Sequence, residues 1–207
     1  MRIEEPARVE YLDVSGAIAV SAHPAHSVML LADSFTDVVE RYQTPLVQFL
    51  YGMVGNLEQA EDLAQDTLLK AYEAMERRRP GQQFSAGWLY RIARNTALDT
   101  LRRKRLIAWL PIDLVETLLP ARGDFAGRVA ERELVQQVLA CLPARYRACL
   151  LLRTVAGLSN GEIAESMGIS TRNVNTLLFR ARERFRLVYA QLAGADTACA
   201  AAEEHEA

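Results

Sequence analysis

The sequence predicts an all-α protein built from two helical modules joined by a flexible linker. Apolar residues recur at the three- and four-residue spacing of a helix from about residue 33 to 105, and again from 128 to 192. Strand-like alternation is nearly absent. Between these regions, residues 109–127 contain two prolines and two glycines and keep no sustained period. With 207 residues, the chain is long enough for two small domains.

The first module is predicted to occupy residues 32–107 and to contain three helices. Apolar positions predict a helix over 33–55, which the Gly-Asn pair at its end closes, and a second helix over 57–76. Residues 77–87 hold a proline and two glycines and are expected to form a loop. The third helix is predicted from about residue 88 to 105.

The second module is predicted to occupy residues 128–192. Its helical pattern is interrupted near Pro143, at 157–160 and at 168–170, which predicts four helices. The last of these turns separates two short helices of a kind that often binds DNA.

The remaining segments are expected to carry less structure. Residues 1–31 are interpreted as a weakly ordered extension, 108–127 as the linker, and 193–207 as a disordered tail. Met29 is a possible start of translation, since organised sequence begins soon after it; the intact mass of the natively expressed protein would test this. No apolar run is long enough to insert in a membrane.

The charges are unevenly distributed, although the net charge is only −2. Residues 77–105 carry nine basic side chains against one aspartate, and residues 171–186 carry five arginines against one glutamate. Two basic blocks far apart in sequence indicate two contacts with a polyanion. Each block alone could equally be a solvated helix face.

The cysteines and histidines suggest neither catalysis nor metal binding. Cys141, Cys149 and Cys199 have no metal-ligand spacing and fit a reducing cytoplasm. Cys141 and Cys149 lie among apolar residues and are expected to be small buried side chains. We therefore expect a cytoplasmic protein that is not an enzyme and needs no cofactor or metal.

Residues 159–184 have the pattern of a helix-turn-helix motif. Ser159 and Glu162 form a capping box, Gly168 can end the first helix in the left-handed conformation, and Ser170 or Thr171 can cap the second. In the second helix an inward apolar stripe contains Val174, Leu177, Leu178 and Ala181. The outward positions are Arg172, Asn175, Thr176, Phe179 and Arg180.

Such a helix fits the major groove, where arginine recognises guanine and asparagine recognises adenine. On this basis Asn175 is expected to contact an adenine edge. The alternative is a helical hairpin that does not bind DNA.

The helix predicted over 57–76 has an acidic side. Glu58, Asp62 and Asp66 follow one another at spacings of four, with Glu61 beside them. Like charges at this spacing cost a helix roughly 0.2–0.5 kcal/mol per pair, so the stripe favours a basic protein partner over chance. The alternative is that the stripe only confers solubility. An apolar stripe predicted to face the core contains Ala60, Leu63, Ala64, Thr67, Leu68 and Ala71.

The helix predicted from residue 88 has a basic side and is preceded by a basic loop. Its core-facing positions are predicted to be Leu89, Ile92, Ala93, Thr96 and Leu101, and its outer positions to be Arg91, Asn95, Leu98, Arg102 and Arg105. Phe84 and Trp88 add rings that can stack on exposed bases, a combination typical of single-strand binding. Trp88 could instead belong entirely to the core.

Three stretches in order resemble one known family. They are "AEDLAQDTLLKAYEAM", "GWLYRIARNTALDTLRRKRL" and "LPARYRACLLLRTVAGLSNGEIAESMGISTRNVNTLLFRARERF". Together, and covering about residues 33–192, they resemble a group IV, extracytoplasmic-function RNA polymerase sigma factor of the sigma-70 family. The resemblance implies that the first module is sigma domain 2 and the second is sigma domain 4.

The resemblance also implies partners and sites. Domain 2 would dock on the β′ clamp helices of core RNA polymerase through Glu58, Glu61, Asp62, Gln65 and Asp66. It would recognise and melt the −10 promoter element through Arg79, Phe84, Trp88, Arg91, Arg94, Asn95 and Arg102. Domain 4 would bind the β flap and read the −35 element through Thr171, Arg172, Asn175, Thr176, Phe179, Arg180 and Arg182. Many such proteins are also held inactive by an anti-sigma factor.

The sequence departs from the family's pattern in the recognition helix. Where the family commonly has "VKSRLxRAR", this chain has "VNTLLFRAR", so Asn175 replaces a lysine and Leu177 an arginine. The loop at 79–83 also lacks an aromatic residue often found there. A stand-alone helix-turn-helix regulator is the alternative function, but it leaves the acidic stripe and the first basic block unexplained. An enzyme with a nucleic-acid-binding tail would need a nucleophile, metal or phosphate-loop arrangement that the sequence lacks.

Overall fold

The computed structural model describes residues 35–77, 84–107 and 128–203. The predicted extension at 1–31 and linker at 108–127, and the candidate residue Arg79, lie outside these described residues. Seven α-helices account for nearly all of the described backbone, which confirms the all-α class. None of the helices in these ranges is long and apolar enough to span a bilayer.

The first module contains α1 (Phe35–Val54), α2 (Leu57–Glu76) and α3 (Ala86–Ile107). The predicted helix over 57–76 is confirmed residue for residue, because Asn56 caps it by accepting a hydrogen bond from the Gln59 amide at 2.7 Å. All six residues of the predicted apolar stripe on α2 are buried.

The core of the first module lies where α1, α2 and α3 meet. The ring of Tyr90 on α3 meets that of Phe49 on α1 edge to face, with centroids 5.3 Å apart. Burial raises the pKa of the Tyr90 hydroxyl far above its usual range. Leu98, which we placed on the outer side of α3, is half-buried against the core. Fewer positions on the basic side of α3 are therefore exposed than the sequence predicts, because neighbouring helices cover this helix on two sides.

The second module contains α4 (Arg128–Cys141), α5 (Ala144–Thr154), α6 (Asn160–Met167) and α7 (Thr171–Glu203). The prediction of four helices separated by three turns is confirmed. The predicted disordered tail from residue 193 differs from the structure, in which α7 continues to Glu203. The alanine-rich composition of this end explains the difference, since alanine has the highest helix propensity.

One cysteine prediction is wrong. Cys149 is buried, and burial raises the pKa of its thiol to about 11. Cys141 is exposed because it is the last residue of α4, where the chain turns toward Pro143.

The two modules pack against each other, which the sequence did not predict. α3 lies along α6, and α1 lies along α4 and α5. At Gly52 on α1 an added Cβ would lie 2.6 Å from the side chain of Leu151 on α5. The Arg147 guanidinium on α5 donates a hydrogen bond of 2.6 Å to the Met53 carbonyl. The contact thus combines close apolar packing with a buried arginine that binds the end of α1.

Candidate functional site: an acidic helix face and two basic helix surfaces

The acidic face of α2 is fully available for binding. We use this name for Glu58, Glu61, Asp62, Gln65 and Asp66, all of which are exposed. The buried stripe on the other side of the helix fixes its rotation, so these side chains must point away from the core. None of the ion pairs within the described part of the chain involves these carboxylates. The face is therefore an uncompensated negative surface.

The start of α3 holds the two aromatic rings that were expected to stack on bases. The Ser85 hydroxyl accepts a hydrogen bond from the Trp88 amide at 3.0 Å and so caps the helix. The rings of Phe84 and Trp88 lie 4.1 Å apart with a tilt of 31°. Phe84 is only 5% exposed, whereas Trp88 is half-buried. The Phe84 ring thus packs against the inner side of the Trp88 ring, and neither face of the Phe84 ring is accessible in this conformation.

The middle of α3 presents its polar side chains side by side. Arg91, Asn95 and Arg102 are exposed, and Arg94 is half-buried. Arg94 donates a hydrogen bond of 2.9 Å to the Asn95 side-chain oxygen. Desolvation, and secondly the nearby charge of Arg91, lower the pKa of Arg94. A partly desolvated arginine beside another arginine is an environment that an anion such as a phosphate would stabilise.

The beginning of α3 is covered by α6 of the second module. An added Cβ at Gly87 would lie 2.7 Å from the backbone oxygen of Glu162, so the two helices meet almost backbone to backbone. The Ser85 hydroxyl also donates a hydrogen bond to the Glu165 carboxylate. This part of the predicted −10 surface is therefore occupied by the helix-turn-helix motif.

The helix-turn-helix motif has the local geometry that its sequence predicts. The capping box of Ser159 and Glu162 is present, and Gly168 ends α6 with φ of 66° in the left-handed region. Ser170 caps α7 through a 3.4 Å hydrogen bond from the Asn173 amide to its hydroxyl. Leu177 is buried, which explains why an arginine is absent at that position.

The outer face of α7 is exposed to solvent. We use the name recognition face for Thr171, Arg172, Asn175, Thr176, Phe179, Arg180 and Arg182, all of which are exposed. Phe179 is 66% exposed, which is unusual for a phenylalanine that has no partner surface. The polar and cationic side chains around it match a groove lined with base edges and phosphates.

Sequence reasoning missed three side chains behind these surfaces: Arg147, Arg153 and Asn160. Arg147 donates to the carbonyls of Ala140 and Leu142 as well as to Met53. Arg153 and Asn160 form hydrogen bonds that end on Asn175 of the recognition face. These partners come from different helices, so spacing along the chain gives no signal of them.

The molecule has an acidic face on α2, a basic side on α3 and a solvent-exposed recognition face on α7. Together these surfaces define a helical DNA-binding protein that also binds another protein. Comparison with known families agrees. Residues 38–107 match the model for Sigma-70 region 2, and residues 132–185 match the model for Sigma-70, region 4.

Named relatives give the same result. The chain is 32% identical over 167 residues to the ECF RNA polymerase sigma factor SigW of Bacillus subtilis (strain 168), covering 74% of this chain and 88% of that one. It is 34% identical over 154 residues to the RNA polymerase sigma factor YlaC of the same organism, covering 72% and 88%. The chain therefore belongs to the extracytoplasmic-function sigma factors of the sigma-70 family.

Solved structures share the fold. RpoE of Bartonella quintana, crystallised with the anti-sigma factor NepR, has a TM-score of 0.60 at 23% identity and covers 74% of this chain and 95% of its own. CnrH, solved with the cytosolic domain of CnrY, has a TM-score of 0.57 at 25% identity, covering 78% and 88%. The stand-alone regulator is not favoured by these findings.

Proposed function

We propose that this sigma factor docks on core RNA polymerase through the acidic face of α2 and positions the enzyme on a promoter through α3 and the recognition face of α7. One chain exposes both an uncompensated acidic face and a recognition face on α7, and this observation is the main support for the proposal. The β′ clamp helices are the proposed partner of the acidic face, and the β flap that of the second module.

Promoter contacts divide between the two modules in this proposal. On α7, Arg172, Arg180 and Arg182 bind phosphates and position the helix, while Asn175 and Phe179 contact base edges of the −35 element. On α3, Arg91, Arg94 and Arg102 attract the −10 strand, as does Arg79 in the preceding loop. Trp88 and Asn95 receive its unstacked bases, with Phe84 supporting the Trp88 ring.

The packing of α6 on α3 gives this mechanism a conformational step. Ser85 and Gly87 cannot contact α6 and a DNA strand at the same time, because the two backbones already touch. The recognition face of α7 is exposed throughout. In the proposed mechanism, the modules therefore separate when the −10 surface engages the promoter, and the proposed linker at 108–127 keeps them in one molecule.

Two weak contacts joined in one chain explain how short modules can select a promoter. A single helix-turn-helix buries little surface. Once both modules are held on the polymerase, the second DNA contact becomes intramolecular and can strengthen binding by about 10²–10⁴-fold if the spacing fits. This predicts that the length of DNA between the −35 and −10 elements strongly affects transcription.

The remaining parts of the proposal concern partners and chemistry. We expect the protein to act in the cytoplasm, to supply recognition and melting rather than bond chemistry, and to be regulated by an anti-sigma factor. The domain boundaries proposed from the sequence, 32–107 and 128–192, enclose the two segments that match the family models.

Reconstituted transcription tests the proposal. The full chain is added to purified core RNA polymerase, and run-off transcripts are collected from a library of genomic fragments. The proposal predicts transcripts from a few fragments, each dependent on this chain, and little DNA binding by the chain alone. No chain-dependent transcript, with tight binding of the free protein to a palindromic site, would contradict it and favour the stand-alone regulator.

A further inference from the structure

Asn175 on the recognition face is held by hydrogen bonds that begin in the interior of the second module. Arg153, at the end of α5, donates from one guanidinium nitrogen to the Leu158 carbonyl at 2.9 Å. Its other nitrogen donates to the side-chain oxygen of Asn160, the first residue of α6. The Asn160 side-chain nitrogen then donates to the Asn175 side-chain oxygen at 2.8 Å.

The direction of these bonds is fixed by chemistry rather than by geometry alone. A guanidinium can only donate hydrogen bonds, so the Asn160 atom that faces Arg153 must be the oxygen. The Asn160 nitrogen therefore faces Asn175, and it too can only donate. The Asn175 atom that receives this bond must in turn be its oxygen.

The outward group of Asn175 follows from this order. Because its oxygen faces Asn160, Asn175 presents its NH₂ group on the other side, and the residue as a whole is exposed on α7. An asparagine needs both its oxygen and its nitrogen to bind the N6 and N7 edge of adenine. The two-bond adenine contact expected from the sequence alone would require the same oxygen to accept a second hydrogen bond, from adenine N6, beside the one from Asn160.

We propose that Arg153 and Asn160 are positioning residues that make Asn175 a hydrogen-bond donor toward DNA, so that it disfavours cytosine in the −35 element. Guanine offers the acceptors N7 and O6 in the major groove, and thymine offers O4. Adenine offers N7, whereas cytosine presents only a donor there. This inference rests on the proposed function, since it assumes that α7 reads promoter DNA.

The substitution Asn160→Asp reverses the outward group without removing the hydrogen bonds. One oxygen of the introduced carboxylate accepts from Arg153, and the other accepts from the Asn175 nitrogen. Asn175 must then turn its amide, so its oxygen faces the DNA and accepts from adenine N6 or cytosine N4. A carboxylate in the first turn of α6 also suits the helix dipole.

A second substitution reaches the same outcome by another route. In Asn175→Asp, one carboxylate oxygen keeps the bond from Asn160 while the other faces the DNA as an acceptor. Both variants should therefore raise the share of cytosine at one −35 position and lower the shares of guanine and thymine, which form major-groove hydrogen bonds only as acceptors. The expected change in relative preference is on the order of tenfold.

The matched control is Gly161→Asp, which places the same charge one residue away. Gly161 is exposed, and an added Cβ would have only the Ser159 hydroxyl nearby, at 3.9 Å. This variant should weaken DNA binding for all sequences alike through repulsion of phosphates, and it should leave the base preference unchanged.

The experiment selects −35 sequences with the complete holoenzyme. Promoters with a fixed −10 element and a randomised −35 element are incubated with core RNA polymerase and each full-length variant, and the bound DNA is sequenced. A single-position change in Asn160→Asp and Asn175→Asp, absent in Gly161→Asp, is the expected result. An enriched element that gains no cytosine at any position in Asn160→Asp would overturn this inference alone. Failure of the unmodified holoenzyme to enrich any element would overturn the proposed function, and this inference with it.

Discussion

The two surfaces proposed to contact promoter DNA differ in how much of each the rest of the protein covers. The recognition face of α7 is exposed along its whole length, and Phe179 is 66% exposed. The start of α3 lies under α6, with Gly87 against the Glu162 backbone. One surface can therefore bind as it stands, whereas the other needs a movement of the modules.

This difference suggests an order of events. The acidic face of α2 and the recognition face of α7 are available in the packed protein, so docking on polymerase and contact with the −35 element can precede opening. Melting of the −10 element, for which we propose Trp88 and its neighbours, would follow.

Reversing one charge on the exposed acidic face should have the largest effect. Asp62→Arg places a positive charge where a basic partner is proposed, and we expect holoenzyme affinity to fall by about ten- to a hundredfold. Because Asp62 is exposed, the melting temperature should hardly change. Affinity is measured by titrating labelled protein with core polymerase.

The control for this variant is Glu40→Arg, an equal charge reversal at an exposed position on α1. It should leave holoenzyme affinity within about twofold of the unmodified protein, as surface changes outside an interface usually do. Equal losses from the two reversals would mean that overall charge, not the acidic face, determines polymerase binding.

Disturbing the covered surface should separate the modules. In Gly87→Ala the new methyl group meets the Glu162 backbone as well as the Glu165 carboxylate, and the backbone cannot move aside as a side chain can, so we expect a cost of about 1–3 kcal/mol for the packed state. The modules themselves should remain folded, since alanine favours helix more than glycine does. Small-angle X-ray scattering should show a larger radius of gyration.

Gly161→Ala is the matched control because no close neighbour surrounds that position. Its radius of gyration should equal that of the unmodified protein. If Gly87→Ala also scatters like the unmodified protein while remaining folded, the backbone contact does not hold the modules together.

Removing the side chain of Asn95 should affect promoter opening more than assembly. Asn95 is exposed, and within the part of the chain that the structure describes its side chain bonds only to Arg94, so Asn95→Ala leaves the core intact. We expect open-complex formation to fall by about tenfold, as for loss of one base contact of 1–3 kcal/mol. Permanganate reactivity of thymines in the −10 region reports opening. Equal losses of opening and of holoenzyme affinity would point to a folding defect instead.

Removing the exposed ring of Phe179 should have the smallest effect. Phe179→Ala is expected to weaken −35 binding by a few-fold and to change the free energy of unfolding by less than about 0.5 kcal/mol, because the ring packs little within the protein. Filter binding of the holoenzyme to promoter DNA and thermal unfolding measure the two effects. A large loss of stability would show that Phe179 belongs to the core in solution.

Much of the fold followed from the sequence because local rules govern it. The bounds of α2, the capping box at Ser159 and the inward position of Leu177 depend on residues within one or two turns. Such features leave a periodic or capping signal that a reader of the sequence can find.

The features that the sequence did not predict depend on contacts between distant helices. Examples are the burial of Phe84, the half-buried position of Leu98 and the hydrogen bond from Asn160 to Asn175. Each depends on which helix packs opposite the residue. The packing of α6 on α3 is of the same kind. The adenine contact of Asn175 was predicted from its residue type alone, without the neighbouring Asn160 that orients its side chain.

The most direct test of the account is the distance between the modules as the complex assembles. Labels are attached at Asp99→Cys on α3 and Leu187→Cys on α7, two exposed positions, in a chain whose natural cysteines are replaced by serine. Electron-spin distances are then measured for the free protein, for the holoenzyme and for the open promoter complex. We expect a single distance in the free protein and a clearly longer one in the open complex. An unchanged distance in the open complex would contradict the proposed separation of the modules.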